Sequence, residues 1–167
     1  DYFADHSTED IFDYIPPQKT NQIFTPKPTV AKMCDILEAE NPGCFDNPDN
    51  TFIDPYMKSG LYVTEIVKRL FRSKKMKEIF PDDTERLQWI FSEQVYGLAP
   101  TKIIYAITMH YIFWFADKNG IQIDRSHFRE FDSLKSIQNG TFAEDINRMF
   151  AKTEAGSPSR PLNDRAW

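Results

Sequence analysis

The protein has 167 residues, of which 25 are Asp or Glu and 20 are Lys or Arg, so its formal net charge at pH 7 is −5. This length suits a single domain, large enough to bury roughly two-thirds of the surface that its unfolded chain exposes. The acidic balance excludes a general polycation, so any contact with nucleic acid has to come from a local basic patch.

Cysteine usage and hydropathy favour a cytoplasmic protein without a membrane partner. Cys34 and Cys44 match no Cys-x-x-Cys metal pattern, and a single pair is too few for a disulfide framework, which favours a reducing compartment. The most apolar run, 103–115, is shorter than the roughly 20 residues that cross a bilayer. Residues 1–24 have neither the basic start nor the apolar core of a secretory signal.

An acidic segment, residues 1–21, opens the chain. A short helix is expected over 8–14, and the Pro16-Pro17 pair would stop it. The next segment predicts a helix more strongly, because apolar residues recur at helical intervals over 26–40.

Local signals also mark both ends of this second helix. Thr25 is a good N-cap, and Pro26 fits the first helical position, where its missing N–H costs nothing. Asn, Pro and Gly end the helix after residue 40, and the segment 44–50 is predicted to be a turn-dense loop.

A strand, a turn and a helix follow in close succession. The short apolar run 51–53 predicts a strand, which ends in Asp54-Pro55, and a tight Ser59-Gly60 turn precedes an amphipathic helix. This arrangement places backbone N–H groups and a helix N-terminus around a bound cofactor.

Basic residues crowd the end of that helix, near residue 72. They are Lys68, Arg69, Arg72, Lys74, Lys75 and Lys77. One interpretation is a solvated face with favourable charge at a helix C-terminus, which is the usual role of such runs. The other is a phosphate-contacting patch, which would make DNA binding depend on salt.

The second half of the chain continues the alternation of strands and helices. A helix is predicted from Asp82, with the acidic residues of its first turn explained by capping. A second buried strand is predicted over 94–98, ended by Ala99-Pro100.

Thr101 is predicted to cap a long apolar helix over 102–115, followed by a loop at 117–120. Because apolar residues surround this helix on nearly all sides, it is expected to be sandwiched between the sheet and another layer. His110 lies within it and is expected to be a hydrogen-bonded core histidine.

A third strand is predicted over 127–131 and a last helix over 142–150, with Thr141 as its N-cap. Strands and helices that alternate at this spacing predict an α/β fold with a parallel, doubly wound sheet. Ligands bind at the carboxyl ends of strands in such sheets, so the loops that follow the three strands are the candidate site.

Short motifs stand at all three of these strand ends. They are Asp54-Pro55 with Ser59-Gly60, then Tyr96-Gly97 with Pro100, then Asp132-Ser133-Leu134, with Phe24-Thr25-Pro26 ahead of the first strand. In this order they resemble the cofactor-binding half of the N6-adenine DNA methyltransferases of restriction–modification systems. The resemblance covers residues 22–134 and implies a Rossmann-like, S-adenosylmethionine-dependent methyltransferase fold.

The resemblance also implies a cofactor, partners and a set of contacts. The cofactor is S-adenosylmethionine, and the partners are double-stranded DNA and other domains or subunits of a restriction–modification protein. The cofactor contacts would come from Phe24, Thr25, Pro26, Asp54, Tyr56, Ser59, Gly60, Ala99, Pro100, Asp132 and Ser133.

Each motif has its own implied role. The Phe-Thr-Pro segment would lie over the methionine end of the cofactor, and the turn after Asp54 would approach the amino-acid moiety through backbone amides. Asp132 would accept a hydrogen bond from the exocyclic amine of the cofactor's adenine.

Three departures from the family pattern bear on activity. Lys58 stands where the family has the first glycine of Gly-Ser-Gly, and its side chain would either block the pocket or turn outward. Ala99 stands where an acid usually holds the ribose hydroxyls, which predicts weaker cofactor binding. The catalytic Asn/Asp-Pro-Pro-aromatic tetrapeptide, which holds a flipped adenine, occurs nowhere in the chain.

Two readings therefore stay open. In one, the chain is a fragment of a methyltransferase whose catalytic strand lies beyond residue 167. In the other, it is a degenerate, non-catalytic methyltransferase-fold module that scaffolds or contacts DNA in a larger restriction protein. In both, the methyltransferase-like domain spans 22–152, and 153–167 is a tail or linker.

Overall fold

The computed structural model of the protein describes residues 25–151, which form an α/β fold with a parallel sheet. The strands are β1 (Phe52–Asp54), β2 (Val95–Ala99) and β3 (Phe128–Glu130). The helices are α1 (Lys27–Glu40), α2 (Leu61–Arg72), α3 (Lys74–Ile79), α4 (Asp83–Trp89), α5 (Lys102–Asn119), α6 (Ser133–Gln138) and α7 (Phe142–Met149). The predicted helix over 8–14 and the predicted cofactor contact Phe24 lie outside the described residues.

The sheet has the order β1-β2-β3, with both pairs parallel, as the sequence predicts. Asp54 lies opposite Gly97, and Ala99 lies opposite Glu130. All five residues of the central strand β2 are buried, because it has a neighbouring strand on each side and packed side chains on each face.

The two faces of the sheet carry cores of different size. Side chains alternate along β2, so Val95 and Ala99 join the main core, with residues of α1, α2, α4 and α5. Tyr96 and Leu98 point to the opposite face, where Ile146 of α7 completes a smaller core. Helices therefore cover both faces, which is compatible with a Rossmann-like fold.

Chain direction brings two helix N-termini to one edge of the sheet. Helices α2 and α5 begin shortly after β1 and β2, at the carboxyl ends of the strands. Helix α1 packs against α2: Tyr62 Oη donates to Met33 Sδ at 2.6 Å, and Arg69 Nη2 donates to Asp35 Oδ1 at 2.7 Å.

The long helix differs from the sequence prediction in two ways. Helix α5 continues to Asn119, where Gly120 caps it in the left-handed conformation, so the loop predicted at 117–120 is wrong. Its outer side is also exposed within residues 25–151: His110 and Trp114 face solvent. The predicted core position of His110 is therefore wrong, and the buried histidine is His127.

Two predicted caps also take other roles. Pro26, rather than Thr25, occupies the N-cap position of α1, where no side chain accepts a cap hydrogen bond. Thr141 stands at the N-cap of α7, but its hydroxyl donates to Asp145 Oδ2 at 2.8 Å instead of accepting from the backbone. The caps predicted at Thr101 and in the acidic turn at Asp82 are confirmed.

Two short helices lie in places where the sequence does not predict them, and a third segment continues the helix predicted from Asp82. Ser73 is the N-cap of α3 and its Oγ accepts from Met76 N–H, and Asp132 is the N-cap of α6 and its Oδ1 accepts from Lys135 N–H. A π-helical segment, Ile90–Gln94, joins α4 to β2. None of the described helices is long and apolar enough to cross a membrane.

Candidate cofactor site at the carboxyl ends of the strands

The loop after β1 folds back over the end of β2. Met57 N–H donates to the Leu98 carbonyl at 2.7 Å, which extends the pairing of the two strands. Exposure alternates along the loop: Tyr56 and Lys58 are exposed, whereas Met57 and Ser59 are buried. Because Lys58 is exposed, its side chain lies on the solvent side of the loop and outside the buried core.

Gly60 ends the loop and stands at the N-cap of α2. Its φ of +83° lies in the left-handed region that favours glycine. A Cβ at this position would also lie 3.0 Å from Ile112 Cγ1 and 3.3 Å from Tyr111 Cδ1, both on α5. Glycine therefore allows α2 to begin close against α5, and Ser59 Oγ accepts from Leu61 N–H in the first turn at 3.3 Å.

Asp54 is the half-buried acid at the end of β1. Burial raises the pKa of its carboxyl group to about 6, although Tyr56 N–H, which donates to Oδ1 at 3.0 Å, works in the opposite direction. Within residues 25–151 no cation pairs with this carboxylate. A carboxylate in this state is a candidate functional group, because a bound cation would compensate its lost hydration.

The helices that start at this edge lack acids in their first turns. None occurs there in α2 or α5, whereas α4 and α7 each carry two. Acidic residues normally stabilise the positive end of a helix, so their absence leaves this edge electropositive. Exposed Lys58 and Lys102 add to the same charge.

The loop after β2 offers less to a ligand than the sequence suggests. Ala99 is fully buried in the main core, and its carbonyl accepts from Phe131 N–H at 2.7 Å. An acid at this position would point into the core, so the register offers no ribose-binding carboxylate here. Pro100 is half-buried at the same edge.

The loop after β3 presents one exposed acid and one buried hydroxyl. Asp132 is exposed and caps α6, accepting from Lys135 N–H at 3.2 Å. Ser133 is fully buried, and its Oγ has no hydrogen-bond partner within the described residues. Both residues lie at the edge where Asp54 lies, as the sequence predicts for three parallel strand ends.

Large apolar side chains also stand exposed on each of the three loops, or in the first turns that follow them. They are Tyr56, Ile103 and Leu134, with exposed fractions of 41%, 70% and 54%. Sequence reasoning missed Ile103 and gave Leu134 only as part of a motif and not as a contact, because the apolar character of both residues predicts burial. Their position just after a strand end, next to a polar motif, was the signal that could have found them.

The structure separates the basic run from this edge. Helix α2 has 12 residues, so its C-terminus lies about 18 Å from its N-terminus. Lys74, Lys75 and Lys77 follow that C-terminus, at the opposite edge of the sheet. Arg69 is not available to a ligand either, because it pairs with Asp35, Glu38 and Glu65 and donates to the Ala31 carbonyl.

Comparison with known proteins adds one relative. The chain is 32% identical over 82 residues to a protein of Mycoplasma pneumoniae named an uncharacterized adenine-specific methylase. The matched segment covers 49% of this chain and 19% of the relative, so it spans about a fifth of that protein's length. No family model and no solved structure matches the chain.

Proposed function

We propose that this chain is the S-adenosylmethionine-binding part of a DNA adenine N6-methyltransferase of a restriction–modification system. The observation that carries the proposal is the half-buried Asp54 carboxylate, which has no cation partner within the described residues and lies beside the N-terminus of α2, whose first turn holds no acid. The ammonium of an α-amino acid would pair with the Asp54 carboxylate, and its carboxylate would bind at the N-terminus of α2. S-adenosylmethionine ends in such a group.

The other loops fit the rest of the same cofactor. Ile103 and Leu134 would contact the faces of an adenine ring, and Asp132 keeps a carboxylate in solvent that would accept from its amine. Thr25 and Pro26, at the start of α1, would cover the methionine end of the cofactor. The name of the relative in Mycoplasma pneumoniae supports methyltransferase chemistry.

Within such an enzyme, the described residues would bind and orient the cofactor rather than hold the target base. The bound cofactor would supply an electrophilic methyl group, and rate would come mainly from proximity and orientation to the adenine amine. The Asn/Asp-Pro-Pro-aromatic motif that would hold that adenine is absent from the chain. Double-stranded DNA and the remaining catalytic parts are therefore proposed partners.

A second candidate function follows from the same absence and from the buried Ala99 side chain. In it, the domain is a non-catalytic methyltransferase-fold module that scaffolds or contacts DNA within a larger restriction protein. This candidate requires no cofactor affinity, which makes cofactor binding the measurement that separates the two.

The test is isothermal titration calorimetry with S-adenosylmethionine on the wild type, on Asp54→Asn and on Asp49→Asn. Asp54→Asn should weaken binding about tenfold or more, because a charged hydrogen bond is worth about 1.5–3 kcal/mol. Asp49 is an exposed acid in the loop before β1, so Asp49→Asn is the matched control and should bind like the wild type. Absence of binding at millimolar cofactor would overturn the first candidate and favour the scaffold.

A further inference from the structure

We infer that Met57 is a positioning residue: its side chain docks in the space left by Gly97 and thereby fixes the loop, residues 54–60, to which the amino-acid end of the cofactor would bind. The docking is a contact between β2 and the loop. The consequence for ligand affinity rests on the proposed function.

The contact between Met57 and Gly97 leaves no room for a side chain on the strand. Met57 is fully buried. A Cβ at Gly97 would collide with Met57 Sδ, would lie 3.0 Å from Met57 Cε, and would lie 2.9 Å from Phe128 Cδ1 on β3. Glycine at 97 is thus required by packing, since its backbone is not in the left-handed region.

The docked side chain lies beside the strand position of Asp54. Asp54 and Gly97 are partners in the parallel pair of β1 and β2, so their side-chain directions share one face of the sheet. Met57 fills the space beside Gly97 on that face. Burial raises the pKa of Asp54, and we expect the docked side chain to contribute to that burial.

Docking by Met57 also explains how the loop keeps its position with a lysine, Lys58, in place of a glycine. The residues on both sides of Met57, Tyr56 and Lys58, are exposed, so neither anchors the loop through burial. Backbone pairing of Met57 with Leu98 and the buried side chain act at the same residue. The loop therefore keeps its place through Met57, without the glycine that the family pattern has at position 58.

The test compares Met57→Ala with Met76→Ala. Both methionines are fully buried in the main core, but Met76 lies in α3, at the opposite edge of the sheet. Both variants should melt at lower temperature than the wild type. Met57→Ala alone should weaken S-adenosylmethionine binding at least tenfold, and Met57→Leu, which keeps the buried volume, should restore it.

A second measurement needs no ligand. Amide hydrogen exchange at Ser59, Gly60 and Leu61 should speed up at least tenfold in Met57→Ala relative to Met76→Ala. If exchange there and cofactor affinity change equally in the two variants, Met57 is an ordinary core residue and the inference is overturned. If the wild type binds no cofactor, the proposed function fails, whereas the docking role is still decided by hydrogen exchange.

A double-mutant cycle covers the case in which Met57→Ala folds too poorly for titration. Gly97→Ala places a methyl group against Met57, so the loss of melting temperature in the double variant Gly97→Ala/Met57→Ala should be smaller than the sum of the two single losses. Strict additivity would show that the two residues do not share one space and would overturn the docking role.

Discussion

At the scale of single residues, the candidate site depends on Asp54, an acid whose burial lowers the stability of the folded protein. Asp54 loses hydration without gaining a cation within the described residues. Such arrangements persist where function needs them, because an uncompensated buried charge lowers stability. The loop after Asp54 lacks the first glycine of the family pattern and still keeps its shape. The side chain of Lys58 is exposed, and the side chain of Met57 is buried.

The raised pKa of Asp54 predicts a pH dependence with a definite sign. Its folded value of about 6 exceeds the ordinary 3.8, so the folded protein binds a proton more tightly than the unfolded chain does. Protonation of Asp54 therefore stabilises the folded protein. This stabilisation is fully present below about pH 4 and is lost as pH rises through 6. Asp54→Asn should therefore raise the melting temperature at pH 7 and change it little at pH 4, measured by circular dichroism.

Cofactor binding should respond to pH in the opposite direction. The ammonium of the ligand needs an ionised carboxylate, so the affinity of the wild type should rise between pH 5 and pH 7. Titrations at pH 5, 6 and 7 would measure this, and Asp54→Asn should be weak and nearly independent of pH over the same range. A wild-type affinity that is flat across this range would contradict an ammonium contact at Asp54.

At the scale of elements, helix direction decides where positive charge meets the site. Helices α2 and α5 both start at the carboxyl edge without acids in their first turns, whereas the lysines of α3 lie at the other edge. The sequence alone leaves those lysines as either a solvated face or a phosphate patch. Their distance from the candidate site favours the solvated face.

Two matched double variants test this assignment. Lys58→Glu/Lys102→Glu changes the charge at the site edge, and Lys74→Glu/Lys75→Glu makes the same change at the opposite edge. Fluorescence anisotropy with non-specific duplex DNA at several salt concentrations should show weaker binding and a shallower salt dependence for the first variant, since each lost phosphate contact lowers the slope by about 0.9. A loss confined to the second variant would make the α3 lysines the DNA-contacting surface.

At the scale of the whole molecule, the two faces of the sheet are unequally supported. The main core joins α1, α2, α4 and α5, whereas on the opposite face three apolar residues of the described part of the chain are buried, two of β2 and one of α7. The chain crosses to this second face after β3. A right-handed connection from α7 to a further parallel strand would place that strand beside β1, next to the candidate site.

Unequal cores predict unequal local stability. Ile146→Ala removes the residue of α7 that is buried in the smaller core and should release α7 in a local opening, whereas Leu87→Ala in the main core should destabilise the whole domain by about 2–5 kcal/mol. Hydrogen exchange would separate the two effects: faster exchange confined to α7 in the first variant and spread to β2 in the second. Faster exchange in β2 for both variants would show one cooperative unit.

Part of the fold follows from short-range signals. Helices α1, α2 and α7 and all three strands lie where apolar periodicity, prolines and glycines predict them, to within about two residues. The end of α5 was missed because Asp117, Lys118 and Asn119 look like a loop, although polar residues also suit a solvated last turn before a glycine cap.

What the sequence by itself determined is the order of strands and helices and the presence of polar motifs at three strand ends, because these depend on residues close together in the chain. Only the tertiary structure decided that Ala99 points into the core, that His110 faces solvent and that Met57 docks on Gly97. Each of these depends on contacts between segments tens of residues apart, whose geometry is set by the sheet register and by the packing of helices on its two faces.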